Sequence, residues 1–269
     1  MDFVDLDLAR RMEMAEANAC RGCAESFQQQ HPDFSVAVEE IAGGFAVFAG
    51  ADSPVTQAIG LGLHGEVSDA ELDRLGDFFH SRGATAAVEL CPLVPMPLYE
   101  RFAKRGYQLL EVSDVLFRKL TVIDSEVKPP PSGVSIRRAT SDESKLWTKT
   151  VSQGFAEHHP VTQSILDVME GFFPAAHCFL ASVDGAVAGG AALSVREGVC
   201  GLFGASTLPE FRGRGVQSAL LKARLESAAS EGCDVAVSIA QPGSVSHRNI
   251  ERRGFRVAYT RTKLIRAVA

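Results

Sequence analysis

A chain of 269 residues, 46% of them apolar and 22% charged, has globular composition and enough length for one large domain or two ordinary ones. Lys and Arg total 27 against 33 Asp and Glu, and the formal charge of -6 argues against a general polyanion binder, so nucleic acid is not an expected partner. The start, Met1-Asp2-Phe3-Val4-Asp5-Leu6-Asp7, is acidic where a secretory signal is basic, and no stretch approaches an apolar membrane span, so a cytoplasmic protein is expected.

Six cysteines are scattered along the chain, four of them in apolar runs where a thiol packs as a small hydrophobe, and structural disulfides are not expected. Cys20-Arg21-Gly22-Cys23 is a lone C-x-x-C with no second ligand pair, so it reads as plain helix residues and no metal is expected.

Residues 33–40, 45–49 and 57–63 read as strands, 69–81 as a helix and 86–91 as a strand. Arg101 to Tyr107 has the pattern of a helix end closed by Gly106, and a β-rich run follows to Leu120. Lys128-Pro129-Pro130-Pro131-Ser132-Gly133 is a stiff linker. Beyond it, 134–138 reads as a strand, and Thr140 with Glu143 forms a T-x-x-E capping box opening a helix to about residue 155. A helix at 162–173 precedes three strands at 177–183, 186–195 and 199–206, joined by the hairpin signals Asp184-Gly185 and Glu197-Gly198. Helix 216–230, strand 234–240, helix 245–253 and strand 257–265 complete the pattern. The first half repeats the later part of this order, and Arg101 to Tyr107 parallels Arg248 to Phe255, so two divergent copies are expected, a domain at 1–127 and another at 134–269.

The most informative stretch runs from Ser206-Thr207-Leu208-Pro209 through Phe211-Arg212-Gly213-Arg214-Gly215-Val216-Gln217-Ser218. A strand enters a glycine-bearing loop and then a helix, which aims backbone N–H groups and the positive end of the helix dipole at one point. No Ser, Thr, Asp or Asn stands between Arg212 and Val216 to cap those donors, and two glycines give an anion access without Cβ obstruction. Arg212 and Arg214 add positive charge. A tight turn with solvated arginines gives the same local pattern. A Walker A loop is excluded because no Gly-Lys-Ser/Thr follows, and a dinucleotide fingerprint fits poorly because Ser218 stands where the third glycine belongs.

On these residues the chain resembles the GNAT superfamily of N-acetyltransferases, whose R/Q-x-x-G-x-G/A motif matches Arg212 to Gln217 after Thr207-Leu208-Pro209, with Gln217 departing from the family's small last residue. The resemblance implies an α/β fold of α+β mixed-sheet type, in two tandem GNAT-like acyl-CoA N-acyltransferase domains. It implies acetyl-CoA as cofactor, held by Ser206, Thr207, Leu208, Arg212, Gly213, Arg214, Gly215, Val216, Gln217 and Ser218, with the acyl carbonyl polarised by the N–H near Thr207. The tyrosine that commonly serves as acid in the family falls on Ile250, and Asn249 is the nearby residue that could reach the cofactor instead, or else a plain surface polar residue.

At the matching junction of the first half, Ser68 and Glu71 form an S-x-x-E capping box, and Glu66, Asp69 and Glu71 place negative charge where the second half has arginines. The first domain is therefore expected to be degenerate and to bind no cofactor. Transfer to an amine also needs a base, and strands 199–206 and 235–240 contain neither carboxylate nor histidine. The nearest candidates are Glu157, His158 and His159, in the turn between two helices that the family uses for acceptor binding, although such residues are more often solvated loop residues than bases. The expected function is acetyl transfer to a small-molecule or peptide amine by a monomer or homodimer. The alternatives are a non-catalytic acyl-CoA-binding or sensing module and a nucleotide-binding α/β domain.

Overall fold

The computed structural model describes residues 4–51, 53–120, 131–156 and 161–267. In chain order the elements are α1 (Leu6–Gln30), β1 (Ala37–Ile41), β2 (Gly44–Phe48), β3 (Gln57–Ile59), α2 (Asp69–His80), β4 (Ala86–Leu90), α3 (Met96–Lys104) and β5 (Gln108–Lys119). They continue with β6 (Val134–Arg138), α4 (Ser144–Phe155), α5 (Gln163–Ala175), β7 (His177–Val183), β8 (Ala186–Arg196) and β9 (Val199–Thr207). Last come α6 (Val216–Ser230), β10 (Val235–Ala240), α7 (Val245–Glu251) and β11 (Arg256–Arg266). The strands pair both antiparallel and, at β3 with β4, parallel, so the chain is a mixed α/β protein.

The chain divides into two compact units, one of residues 1–118 with 237–269 and the other of residues 119–236. This differs from the expected split at 127 and 134, because residues 237–269 join the first unit. The reason lies in strand pairing. Within the first unit the strand order is β1-β2-β3-β4-β11-β5. β11 pairs antiparallel with β4 from Thr262↔Leu90 to Arg266↔Ala86 and with β5 from Arg256↔Phe117 to Ile265↔Gln108. The closing strand of the second sequence repeat is thus flanked on both sides by strands of the first.

A buried charge cluster ties β11 to α1 and β4 inside this unit. Arg261, 2% exposed, meets Glu16 through both terminal nitrogens at 2.6 and 3.1 Å and Glu89 through Nε at 3.1 Å. Lys263 adds a second cation 3.3 Å from Glu89. Glu13 stands 3.4 Å from Arg261 and accepts a 2.8 Å hydrogen bond from the Tyr259 hydroxyl. Burial pushes the Glu13 carboxyl up to about 7, and Arg261, whose charge is already shared with two other carboxylates, offsets only part of that.

The second unit is an antiparallel meander, β6-β7-β8-β9, with helices packed on it. The turns Asp184-Gly185 and Glu197-Gly198 have positive φ at both residues, as two-residue hairpins require. Neighbouring glycines on β8 show how the helices sit. A Cβ on Gly190 would come within 2.8 Å of Val151 in α4, and one on Gly189 within 3.2 Å of Val216 in α6. Adjacent strand residues point to opposite faces, so α4 and α6 cover opposite sides of this sheet. Trp147, fully buried, anchors the α4 side among Val151, Cys178, Leu180 and Ala192, and its indole N–H donates to the Ala191 carbonyl at 3.2 Å.

Two outcomes follow from the first unit. A fragment of residues 134–269 carries β11 without either neighbour, so it is expected to self-associate on size-exclusion chromatography, and a monodisperse fragment with a cooperative melt contradicts the pairing. For Glu13, the folded pKa lies above the ordinary value of 4.5, so the stability it contributes is full below about pH 4.5 and is lost as pH rises through about 7. Urea unfolding of the wild type should show that loss, and Glu13→Gln should flatten it.

Candidate anion site at the start of helix α6

The N-cap of α6 is Gly215 at φ +80°, and no side chain caps the helix. The first-turn amides of a helix have no intrahelical acceptor, so an uncapped N-terminus at the surface concentrates donors and partial positive charge. Arg212, Gly213 and Arg214 ahead of it are exposed, Val216 is buried against the sheet, and Gln217 and Ser218 are half-buried in the first turn. The expected loop residues therefore do come together around one helix start.

The structure qualifies the expected electrostatics. Arg214 is paired with Asp184 at 2.6 Å, and Arg212 donates to the Gly154 carbonyl at 3.3 Å. The N–H of Asp184 in turn donates to the Gly133 carbonyl at 2.9 Å, so the end of the linker, the β7–β8 turn and the loop are joined. A Cβ on Gly215 would lie 2.6 Å from Cγ of Pro131. Bulk at Gly215 thus strikes the linker first. At Gly213 a Cβ meets nothing within 4 Å, but φ of +76° strains most side chains there, so a probe of that position needs a residue that tolerates the left-handed region.

The end of β9 lies beside α4. Gly154, inside the helix, is needed there, because a Cβ would overlap the side chain of Ser206. The Ser206 hydroxyl, almost buried, donates to the Val151 carbonyl at 2.9 Å. The Leu208 N–H donates to Ala188 at 2.9 Å, so that amide, expected among the cofactor contacts, is already committed to β8. Antiparallel amides alternate in direction, so the Thr207 N–H points away from β8. Of the two neighbouring amides, only that of Thr207 is aimed off the ladder.

Glu157, His158 and His159 lie outside the described residues. Asn249 falls in the first unit, on α7, where its side-chain oxygen accepts from Arg252 at 3.2 Å. Ile250, on which the position of the family's tyrosine falls, is buried.

The corresponding helix of the first unit, α2, carries a complete capping box. Ser68 Oγ accepts from the Glu71 N–H at 3.2 Å, and Glu71 accepts from the Ser68 N–H at 2.7 Å. Its acids are less repulsive than the sequence suggested. Asp69 pairs at 2.8 Å with both Arg101 and Arg105, whose hydrogen bonds hold its carboxyl below the usual range. The cap, rather than bare negative charge, is what closes this helix end to an anion.

The sequence profile of the acetyltransferase (GNAT) family matches residues 144–255. No curated protein sequence matches the chain significantly. Among solved structures, a GCN5-related N-acetyltransferase from Kribbella flavida superposes with a TM-score of 0.69 over 96% of this chain and 95% of its own, at 16% identity. A tandem GNAT protein from the clavulanic acid biosynthesis pathway aligns with a TM-score of 0.62 over 95% and 94% of the two chains, at 13% identity. A GCN5-related N-acetyltransferase from Sphaerobacter thermophilus gives 0.57 over 96% and 93%, at 14% identity. At such identities the likeness is one of fold.

The Asp184–Arg214 pair is exposed on both sides, so it adds little stability, yet it withdraws charge from the loop. Asp184→Asn is expected to tighten binding of inorganic pyrophosphate about two- to fivefold, the equivalent of the ~0.5–1 kcal/mol that an exposed ion pair is worth. Titration calorimetry checks this, and weaker binding in the variant would contradict the competition for Arg214.

Proposed function

We propose that this protein transfers an acetyl group from acetyl-CoA to an amine of a small molecule or peptide, a reading supported by the match of residues 144–255 to the acetyltransferase (GNAT) family profile. The observation that carries the proposal is the uncapped start of α6, with Gly215 at φ +80° and exposed loop residues ahead of it. Those donors suit a pyrophosphate, and residues 212–218 are the ones that would hold it. Bound acetyl-CoA supplies an activated acyl thioester. The Thr207 N–H, directed off the β8 ladder, is the donor that would meet charge developing on a carbonyl oxygen. Proton removal from the acceptor amine falls to Glu157 or His158 in this reading, since β9 and β10 contain no carboxylate or histidine.

At the corresponding strand-to-helix junction the first repeat offers no such helix start, because Ser68 and Glu71 close α2. One cofactor per chain is the consequence, bound by the repeat at 134–269, with the repeat at 1–127 contributing none. A second reading, a non-catalytic acyl-CoA-binding or sensing module, is favoured by buried Ile250 at the tyrosine position. Release of free thiol from acetyl-CoA in the presence of an amine library separates the two readings.

Calorimetric titration with CoA should give one site per chain, and two equivalent sites would contradict the role assigned to the α2 cap. Gly213→Asn, which adds bulk while tolerating φ of +76°, should weaken CoA binding by about tenfold to a hundredfold, the range for losing one hydrogen bond to a charged group, about 1.5–3 kcal/mol. Unchanged affinity in the folded variant would remove the loop from the site. A thermal-shift response to a dinucleotide but not to CoA would overturn the acyltransferase reading.

A further inference from the structure

Resting on the reading above, in which the Thr207 N–H faces the acyl carbonyl, we propose that Arg224 is a positioning residue, clamping from α6 the register change in β9 that sets the direction of that amide. Before the change the pairs are Leu193↔Leu202 and Ala192↔Phe203, and after it they are Gly190↔Ser206 and Gly189↔Thr207. Ala191 on β8 therefore faces two residues, Gly204 and Ala205, with Gly204 at φ +59°. This is a β-bulge. An extra residue inverts, for everything beyond it, which amides face the partner strand. With the bulge, Leu208 donates to Ala188 and Thr207 is released. Without it, Thr207 would stand opposite Ala188 and its own N–H would enter the ladder.

Arg224 acts where that change begins. The side chain is 3% exposed, and Nη1 lies 3.1 Å from the Ala192 carbonyl and 3.4 Å from that of Phe203, the last pair before the bulge, one on each strand. Nε binds the Leu220 carbonyl of its own helix at 3.3 Å, which orients the group. A carbonyl oxygen has two lone pairs, so both can accept from Arg224 while remaining in the ladder. Burial pulls the guanidinium down to about 10, opposed only by the Cys200 thiol, so no carboxylate competes for its donors. On the opposite face, Trp147 donates to Ala191, the residue facing the bulge, and its ring lies 3.8 Å from where a Gly204 Cβ would stand. The bulge is gripped from both sides of the sheet, and on the α6 side Nη1 meets both strand carbonyls while Nε fixes the planar guanidinium to its own helix.

Arg224→Met retains the length of the side chain and removes its donors, and Arg224→Lys returns one donor group if the methionine variant fails to fold. Amide hydrogen exchange at residues 203–207 should accelerate in either variant, more in Met than in Lys, whether or not cofactor is present. Unchanged exchange there would overturn the clamp. The functional arm uses S-[1-13C]acetyl-CoA, needing no acceptor. Its bound carbonyl resonance should move back towards the free position in the variants, while affinity for CoA stays within about twofold, since the phosphate loop is untouched. A resonance that stays at its wild-type position despite faster exchange would overturn the positioning role, as would CoA affinity falling in step with stability. If the wild-type protein binds no acetyl-CoA, the acyltransferase reading fails, whereas the exchange arm still decides whether Arg224 holds the bulge.

Discussion

Every α-helix begins with backbone donors that have no partner within it, and the two repeats of this chain answer that constraint in opposite ways. At α2 the answer is internal, with Ser68 and Glu71 satisfying each other's backbone. At α6 it is deferred, with Gly215 in the left-handed region and no side-chain cap. Donors deferred in this way, at a helix end behind a glycine-bearing loop, suit an anion. The rest of the second unit is arranged around that end. Gly189 lets α6 lie close to the sheet, Gly154 lets α4 close on Ser206, and the turn at Asp184 holds one of the loop arginines.

The contrast also gives the two units different physical characters. The first stores its charge inside, as carboxylates gathered round Arg261 and Lys263, where removing any one partner would leave another exposed to a low-dielectric interior. The second unit buries a lone guanidinium and satisfies it with carbonyl oxygens instead of acids. Such a group contributes geometry more than attraction, since its hydrogen bonds persist only while both strands keep their relative register.

Much of the local structure was legible in the residues. Helix α6 runs over Val216–Ser230 and β7 over His177–Val183, both as the apolar periodicity and turn signals predict. Both capping boxes form, although the one at Thr140 and Glu143 opens a short 3-10 turn before α4 begins. The uncapped α6 was legible because it follows from the absence of four residue types. The 25-residue α1 was harder, since much of its buried face is built of Ala9, Ala15, Ala17, Cys23 and Ala24, small residues that give little contrast. The hairpin partners β7, β8 and β9 were legible from their turns, but the partners of β11 were not. Tyr259, Arg261 and Leu264 mark β11 as half-buried, but alternation carries no information about which strands lie beside it. The bulge and its clamp were hidden for a similar reason, because an arginine in a helix reads as solvated until its carbonyl partners are known. Pro131 over Gly215 was not legible because linker composition predicts stiffness, not where the chain rests.

The position of β11 has a consequence for how the molecule is made. Residues 119–236 form a contiguous unit, whereas the unit holding residues 1–118 needs residues 256–266 to fill the gap between β4 and β5. On a ribosome, at roughly 5–20 residues per second, β4 and β5 emerge and then wait on the order of ten seconds before their shared neighbour exists. Throughout that interval two strand edges are open to any other extended segment, so the part of the chain synthesised first is the part completed last.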